Sequence, residues 1–223
     1  MRESGSSEPS VVKEQGGYHL RSLEFGGITS DAHEVHARAQ AALHLLIGLA
    51  ACSDRTSVLP VQILGIAREE PDRPPTQFLL PDPINVRLSL YRDLASGKCD
   101  GGLHGRLPVV LKDELVKKAI RLLGSQEPTW GTLRKVYDIV KGDVGGWEKI
   151  AGAGWATTEE TKRFMSYASN PKASGDEAVH GYPDRDPEGP LMSVEEGGVL
   201  IRWLVVKWID RKSEKSAGRP PSQ

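Results

Sequence analysis

The chain has 223 residues, of which 38% are apolar and 26% charged, and its net charge is −1. That apolar fraction is too high for a wholly disordered chain, and the near-cancelling charges exclude a global electrostatic pull toward nucleic acid or a membrane surface. All five tryptophans fall between Trp130 and Trp208.

The N-terminal segment to Gly17 is rich in Ser, Glu and Gly and has no apolar core of the kind a secretory signal needs. It reads as a disordered tail over 1–17. Ser30 or Asp31 can cap a helix reaching about Cys52, with Val35, Ala39, Ala42, Leu43, Leu46 and Ala50 on one face. Its many alanines allow a neighbour to approach closely. Six prolines between Pro60 and Pro83 argue against helix there. Val58–Ala67 is β-rich, Glu69–Pro75 has turn chemistry, and Asn85–Tyr91 alternates as a strand does. A hairpin or a small three-stranded antiparallel sheet follows, ending in a glycine-rich loop over Ser96–Gly105. Residues 18–107 thus form a helix plus a small sheet.

From Pro108 the pattern is helical, and 108–210 reads as a helical region. Leu111, Leu115, Ala119 and Leu122 step at three and four, and Gly124 stands where a C-terminal cap glycine belongs. Thr129 can cap a helix carrying Leu133, Val136, Tyr137 and Val140 and ended by Gly142. A short Trp147–Ile150 segment comes next. Three S/T-x-x-E capping boxes follow, at Thr157–Glu160, Ser174–Glu177 and Ser193–Glu196. The last opens a helix apolar on most sides, from Val199 to Ile209, broken only by Arg202 and Lys207. Residues 211–223 read as a disordered basic tail. The fold class expected is α+β, mostly α: a long N-terminal helix, a small antiparallel sheet and a helical C-terminal half whose core the tryptophans supply.

Cys52 and Cys99 form no CxxC pair, which excludes a zinc ribbon or a thioredoxin-type motif, and a reducing, cytoplasmic location is the natural expectation. No GxxxxGK[ST], GxGxxG after a strand, GxSxG or HExxH occurs, and no cofactor is expected. The candidate site is Asp176, Glu177 and His180, where spacings of three and four let a carboxylate meet the imidazole within one helical turn. Such a pair raises the imidazole pKa and orients its tautomer, as general acid–base chemistry requires. His33, His36 and His44 lie along one face of the first helix and are the candidates for a metal, since imidazoles one turn apart can chelate a transition ion.

The runs Thr129–Val140, Asp143–Gly146, Gly154–Ala156, Arg163-Phe164, Ser174–Gly181 and Pro190–Ser193 together resemble a group of bacterial proteins of undefined activity. The resemblance covers roughly residues 108–210 and implies no activity by itself. In that group an arginine commonly precedes the histidine matched by His180, and here Val179 stands in its place. Arg38 and His44 are similar in spacing to the Arg–His signature of HEPN-type helical ribonucleases, although Ala39 occupies a position that is usually polar there.

With no catalytic motif and two strongly apolar helices, the chain is expected to be a soluble intracellular interaction module that self-associates. The alternative is a hydrolase, nuclease or phosphoesterase, HEPN-like or otherwise, acting through His180 with Asp176 or Glu177. Nucleic acid is a further partner candidate, through the basic tail with Arg202 and Lys207. No membrane partner is expected.

Overall fold

The computed structural model describes residues 10–14, 17–22, 25, 31–52, 58–68, 76–89, 101–125, 128–175 and 190–216. Two antiparallel hairpins precede and follow the first helix. Strands β1 (Ser10–Glu14) and β2 (Gly17–Arg21) pair, so the segment expected to be a structureless tail contains a strand. Helix α1 spans Ala32–Ala51, and Asp31 caps it by accepting from the His33 amide at 2.9 Å. Strands β3 (Val58–Arg68) and β4 (Thr76–Ser89) form the second hairpin. Their register runs from Val58↔Ser89 to Ile63↔Ile84 and resumes at Gly65↔Leu79. The interruption falls on Pro81 and Pro83, which have no N–H to give the ladder, so β4 bulges there. The expected turn at Glu69–Pro75 lies outside the described residues.

Helix α2 (Gly101–Lys112) begins inside the glycine-rich stretch expected to be a loop, and α3 (Glu114–Ser125) follows after Asp113. The single helix expected from Pro108 is therefore two. Asp113 makes the break: its carboxylate accepts the Leu115 and Val116 amides at 3.0 and 3.1 Å, as an N-cap does. One position of α3 also differs from expectation. Val116, Ala119 and Ile120 are fully buried while Leu115 is 44% exposed. Leu111, Ala119 and Leu122 of the expected stripe do pack on the core, and Leu115 alone of the four turns out to solvent.

Helix α4 spans Trp130–Val144, capped by Thr129, whose hydroxyl accepts from the Thr132 amide at 3.2 Å. It runs past Gly142 and stops at Gly145, whose φ of 87° is the left-handed conformation glycine adopts without strain. Helix α5 (Trp147–Gly152) leads to α6 (Thr158–Ser169), which opens with the expected capping box: Thr157 Oγ1 accepts from the Glu160 amide at 3.1 Å and Glu160 accepts from the Thr157 amide at 2.8 Å. Thr157→Ala removes one of these bonds and loosens the other, so it should cost about 1 kcal/mol and lower the melting midpoint by roughly 2–4 °C, with Thr157→Ser close to wild type in circular-dichroism melting.

The one-turn helix α7 (Pro171–Ser174) begins at Asn170. Ser174 ends this turn, and its hydroxyl donates to the Asn170 carbonyl at 2.9 Å, while the rest of the box expected at Ser174–Glu177 lies outside the described residues. Helix α8 (Val194–Ser216) carries the second intact box, Ser193–Glu196, and includes Arg211–Ser216, the first part of the expected basic tail.

One core runs through these helices. It joins Leu45 and Leu49 of α1, Val110 of α2, Ile120 of α3, Leu133 and Val140 of α4, Phe164 of α6 and Trp208 of α8. Trp130 lies 6.0 Å from both Phe164 and Tyr167, and Tyr137 lies 5.6 Å from Phe164, which ties α4 to α6. The α1–α3 crossing brings the two backbones close together. A Cβ at Gly48 would fall on the Ile120 carbonyl, and one at Gly124 on the His44 carbonyl. Gly124 is thus a buried packing position within α3 and not its cap. Not every tryptophan is core: Trp147 and Trp203 are exposed.

Candidate functional site

Asp176, Glu177 and His180, the acid–base candidates, lie outside the described residues, as does Cys99. The histidines of α1 are described. His33 is exposed, His36 is half-buried with its Nε2 enclosed and lacking a hydrogen-bond partner, and burial holds the His44 pKa below its ordinary value. Among the described residues no three His, Cys, Asp or Glu side chains gather as metal ligands. Arg38 is paired with Glu34 on the exposed side of α1. Six residues of helix separate it from His44 by about 120°, so α1 does not bring the two together. Cys52 is buried, which pushes its thiol up to about 12 despite the nearby Arg202 and Arg106, and it is no nucleophile near neutral pH.

The structure brings together two groups of side chains that the sequence does not announce. The first joins three helices. Lys212 of α8 reaches Asp113 at 2.6 Å and Asp143 of α4 at 2.9 Å, and Trp208 Nε1 donates to Asp143 at 2.7 Å. Partial burial pushes the Asp113 carboxyl up, but its bonds from Lys212 and from the Val116 and Leu115 amides outweigh this and hold it below the ordinary value. Burial opposes the Lys212 charge too, and the two carboxylates more than restore it, so its pKa is raised. Two residues back along α8, Asp210 is held by Arg106 through two bonds of 2.8 and 3.3 Å. Each charge here already has its partner. The cluster joins α8 to the α2–α3 junction and to the end of α4, which is a structural role.

The second group lies on the opposite edge of α8. A groove of about 450 Å³ opens between the α5–α6 connection and α8, lined by Trp155, Ala156, Thr157, Glu160, Leu200 and Trp203 among others. Trp203 is 49% exposed and donates its indole N–H to the Trp155 carbonyl at 3.0 Å, which fixes the ring at the groove edge. Val199, one turn away, is 62% exposed. Lys207 Nζ stands 4.3 Å from the Trp203 ring centroid and the Arg211 guanidinium 5.7 Å from that of Trp155. Arg163 closes the approach to α8 by donating to the Pro190 carbonyl at 2.9 Å and to that of Leu191, with Glu196 at 3.4 Å.

Against protein-family models, curated proteins and solved structures, the chain has no match. The residues that carried the resemblance nonetheless have visible work in the fold. Thr129 and Ser193 are caps, Arg163 holds Pro190 and Leu191, Asp143 accepts from Trp208, and Gly145 ends α4.

The groove escaped sequence reading because Trp155 and Trp203 are 48 residues apart, and although Trp155 is core as expected, Trp203 is exposed. Arg211 was hidden by its place in an apparent tail. The one available signal was the apolar character of α8 on most sides, more than one small domain covers.

Proposed function

We propose that the chain is an interaction module of the bacterial cell interior, which acts by binding a protein and not by catalysis. The uncovered stripe of α8 carries this reading. Ile201, Leu204, Val205, Trp208 and Ile209 are buried, while Val199 and Trp203 on the other side stay exposed beside an aromatic-lined groove. Single exposed apolar residues are ordinary on any surface. An exposed tryptophan one turn from an exposed valine, on the rim of a groove, is what binding surfaces are built from. No helix among the described residues is long and apolar enough to cross a membrane, so the stripe is not part of a helical span there.

The double substitution Val199→Ser, Trp203→Ser separates binding from folding. Surface residues should change stability by about 0.5 kcal/mol each, against roughly 2–5 kcal/mol for a truncated core residue. The expected result is a melting midpoint within a few degrees of wild type, together with loss of any concentration-dependent association seen by sedimentation velocity at high micromolar concentration. A large stability loss would make the stripe part of the core and remove this reading. Association that survives the substitutions would place the contact elsewhere.

A further inference from the structure

We infer that the groove between Trp155 and Trp203 takes an acidic peptide segment anchored by a large apolar side chain; this rests on the reading of α8 as an interaction face. The groove supplies the apolar component. Trp155, Ala156, Leu200 and Trp203 line a space of about 450 Å³, within the range that buries a bulky side chain. Both tryptophans carry a cation on their rings, Lys207 on Trp203 and Arg211 on Trp155.

Neither Lys207 nor Arg211 makes an ion pair among the described residues, unlike Arg106, Arg163 and Lys212 of the same region. Two cations that among the described residues have an indole ring and no carboxylate as partner, beside a groove of mixed polar and apolar lining, are complementary to a partner that brings acids on either side of an apolar anchor.

The same charges argue against the other occupants. A two-fold contact between copies of this chain would place the Lys207 and Arg211 surfaces of both on one interface, and like charges facing each other there hold such association to high concentration, where an acidic peptide should displace it. A nucleic acid draws its affinity from many phosphate contacts. Here the described residues set two cations beside the groove, each held on an indole ring, which is few for such contacts.

The test is to pan a phage-displayed random peptide library on the immobilised full chain, with the Trp203→Ser variant as counter-selection. The winning peptides are then titrated by fluorescence anisotropy. Enriched peptides should carry Asp or Glu flanking a Leu, Phe or Trp. Their affinity should fall about tenfold or more in Lys207→Glu, Arg211→Glu and in Trp203→Ser, with circular-dichroism melts unchanged. Exchanging the peptide acids for lysine should restore binding to the charge-reversed variant. Enriched peptides that are neutral or basic, yet still depend on Trp203, would overturn the acidic partner and leave the interaction face standing. No enrichment, or enrichment indifferent to Trp203→Ser, would sink both. Oligo(dT) displacing the peptide with steep salt dependence would assign the groove to nucleic acid instead.

Discussion

Gly124→Ala should destabilise the protein by about 2–3 kcal/mol and lower its melting midpoint by roughly 4–10 °C, although alanine is the better helix former. Propensity alone gives the opposite sign, since Gly to Ala inside a helix is worth up to about 1 kcal/mol in favour of alanine. The contact decides. A methyl at Gly124 would land on the His44 carbonyl and within 2.6 Å of the Gly48 nitrogen. Both are helix backbone, which cannot swing aside as the tip of a long side chain can, so α1 and α3 would have to separate. That separation would open the contact between α1 and the buried Ile120. Gly142→Ala is the matched control: nothing stands within 4 Å of a Cβ there, and this substitution should leave stability unchanged or raise it slightly. Equal effects at the two positions in thermal or urea unfolding would mean that the crossing does not depend on glycine.

Lys212→Met should cost about 2–3 kcal/mol, below the roughly 3–5 kcal/mol of a fully buried pair because these side chains keep some contact with solvent. The exposures are 19% for Lys212, 29% for Asp113 and 24% for Asp143. Removing the ammonium leaves two half-enclosed carboxylates facing each other. Asp143→Asn added to Lys212→Met should recover part of the loss, since asparagine keeps an acceptor for Trp208 and removes one charge. A cost below about 0.5 kcal/mol would place the cluster with ordinary surface pairs.

The pH dependence of that cost has a definite shape. Asp113 is held below its ordinary 3.8, so its contribution is complete above that value and is lost as pH falls through the lower, folded one. Lys212 is held above its ordinary 10.5, so its contribution is complete below that value and is lost as pH rises through the higher one. The difference between wild type and Lys212→Met should therefore be flat through neutrality and shrink in acid below the ordinary Asp value and in alkali above the ordinary Lys value. A maximum confined near pH 6 to 7 would point to a histidine instead.

Local chemistry was readable in the chain wherever a few neighbouring residues decide the outcome. Asp31, Thr129, Thr157 and Ser193 each cap the helix that follows, because a hydroxyl or carboxylate at that position meets an amide two or three residues on. The mostly helical class, the β3–β4 hairpin and the nearly all-round apolar character of α8 follow from composition and period in the same way. Other features needed a partner from far along the chain. Asp113 splits one expected helix into two by capping the second, and its carboxylate also meets Lys212, 99 residues later. Gly124 looked like a terminator because a glycine near a helix end usually is one. Its neighbours across the crossing make it a packing position.

The tryptophan asymmetry shows the same division. Composition alone placed all five indoles in the second half and implied a core there, and Trp130, Trp155 and Trp208 do fill it. Which indoles would face outward depended on how α8 lies against α4 and the α5–α6 connection. Once Ile201, Leu204, Val205 and Trp208 are turned inward, helical geometry leaves Val199 and Trp203 on the far side, beside Trp155. Burial is a property of the assembled helices, so the candidate binding surface exists only in the tertiary structure.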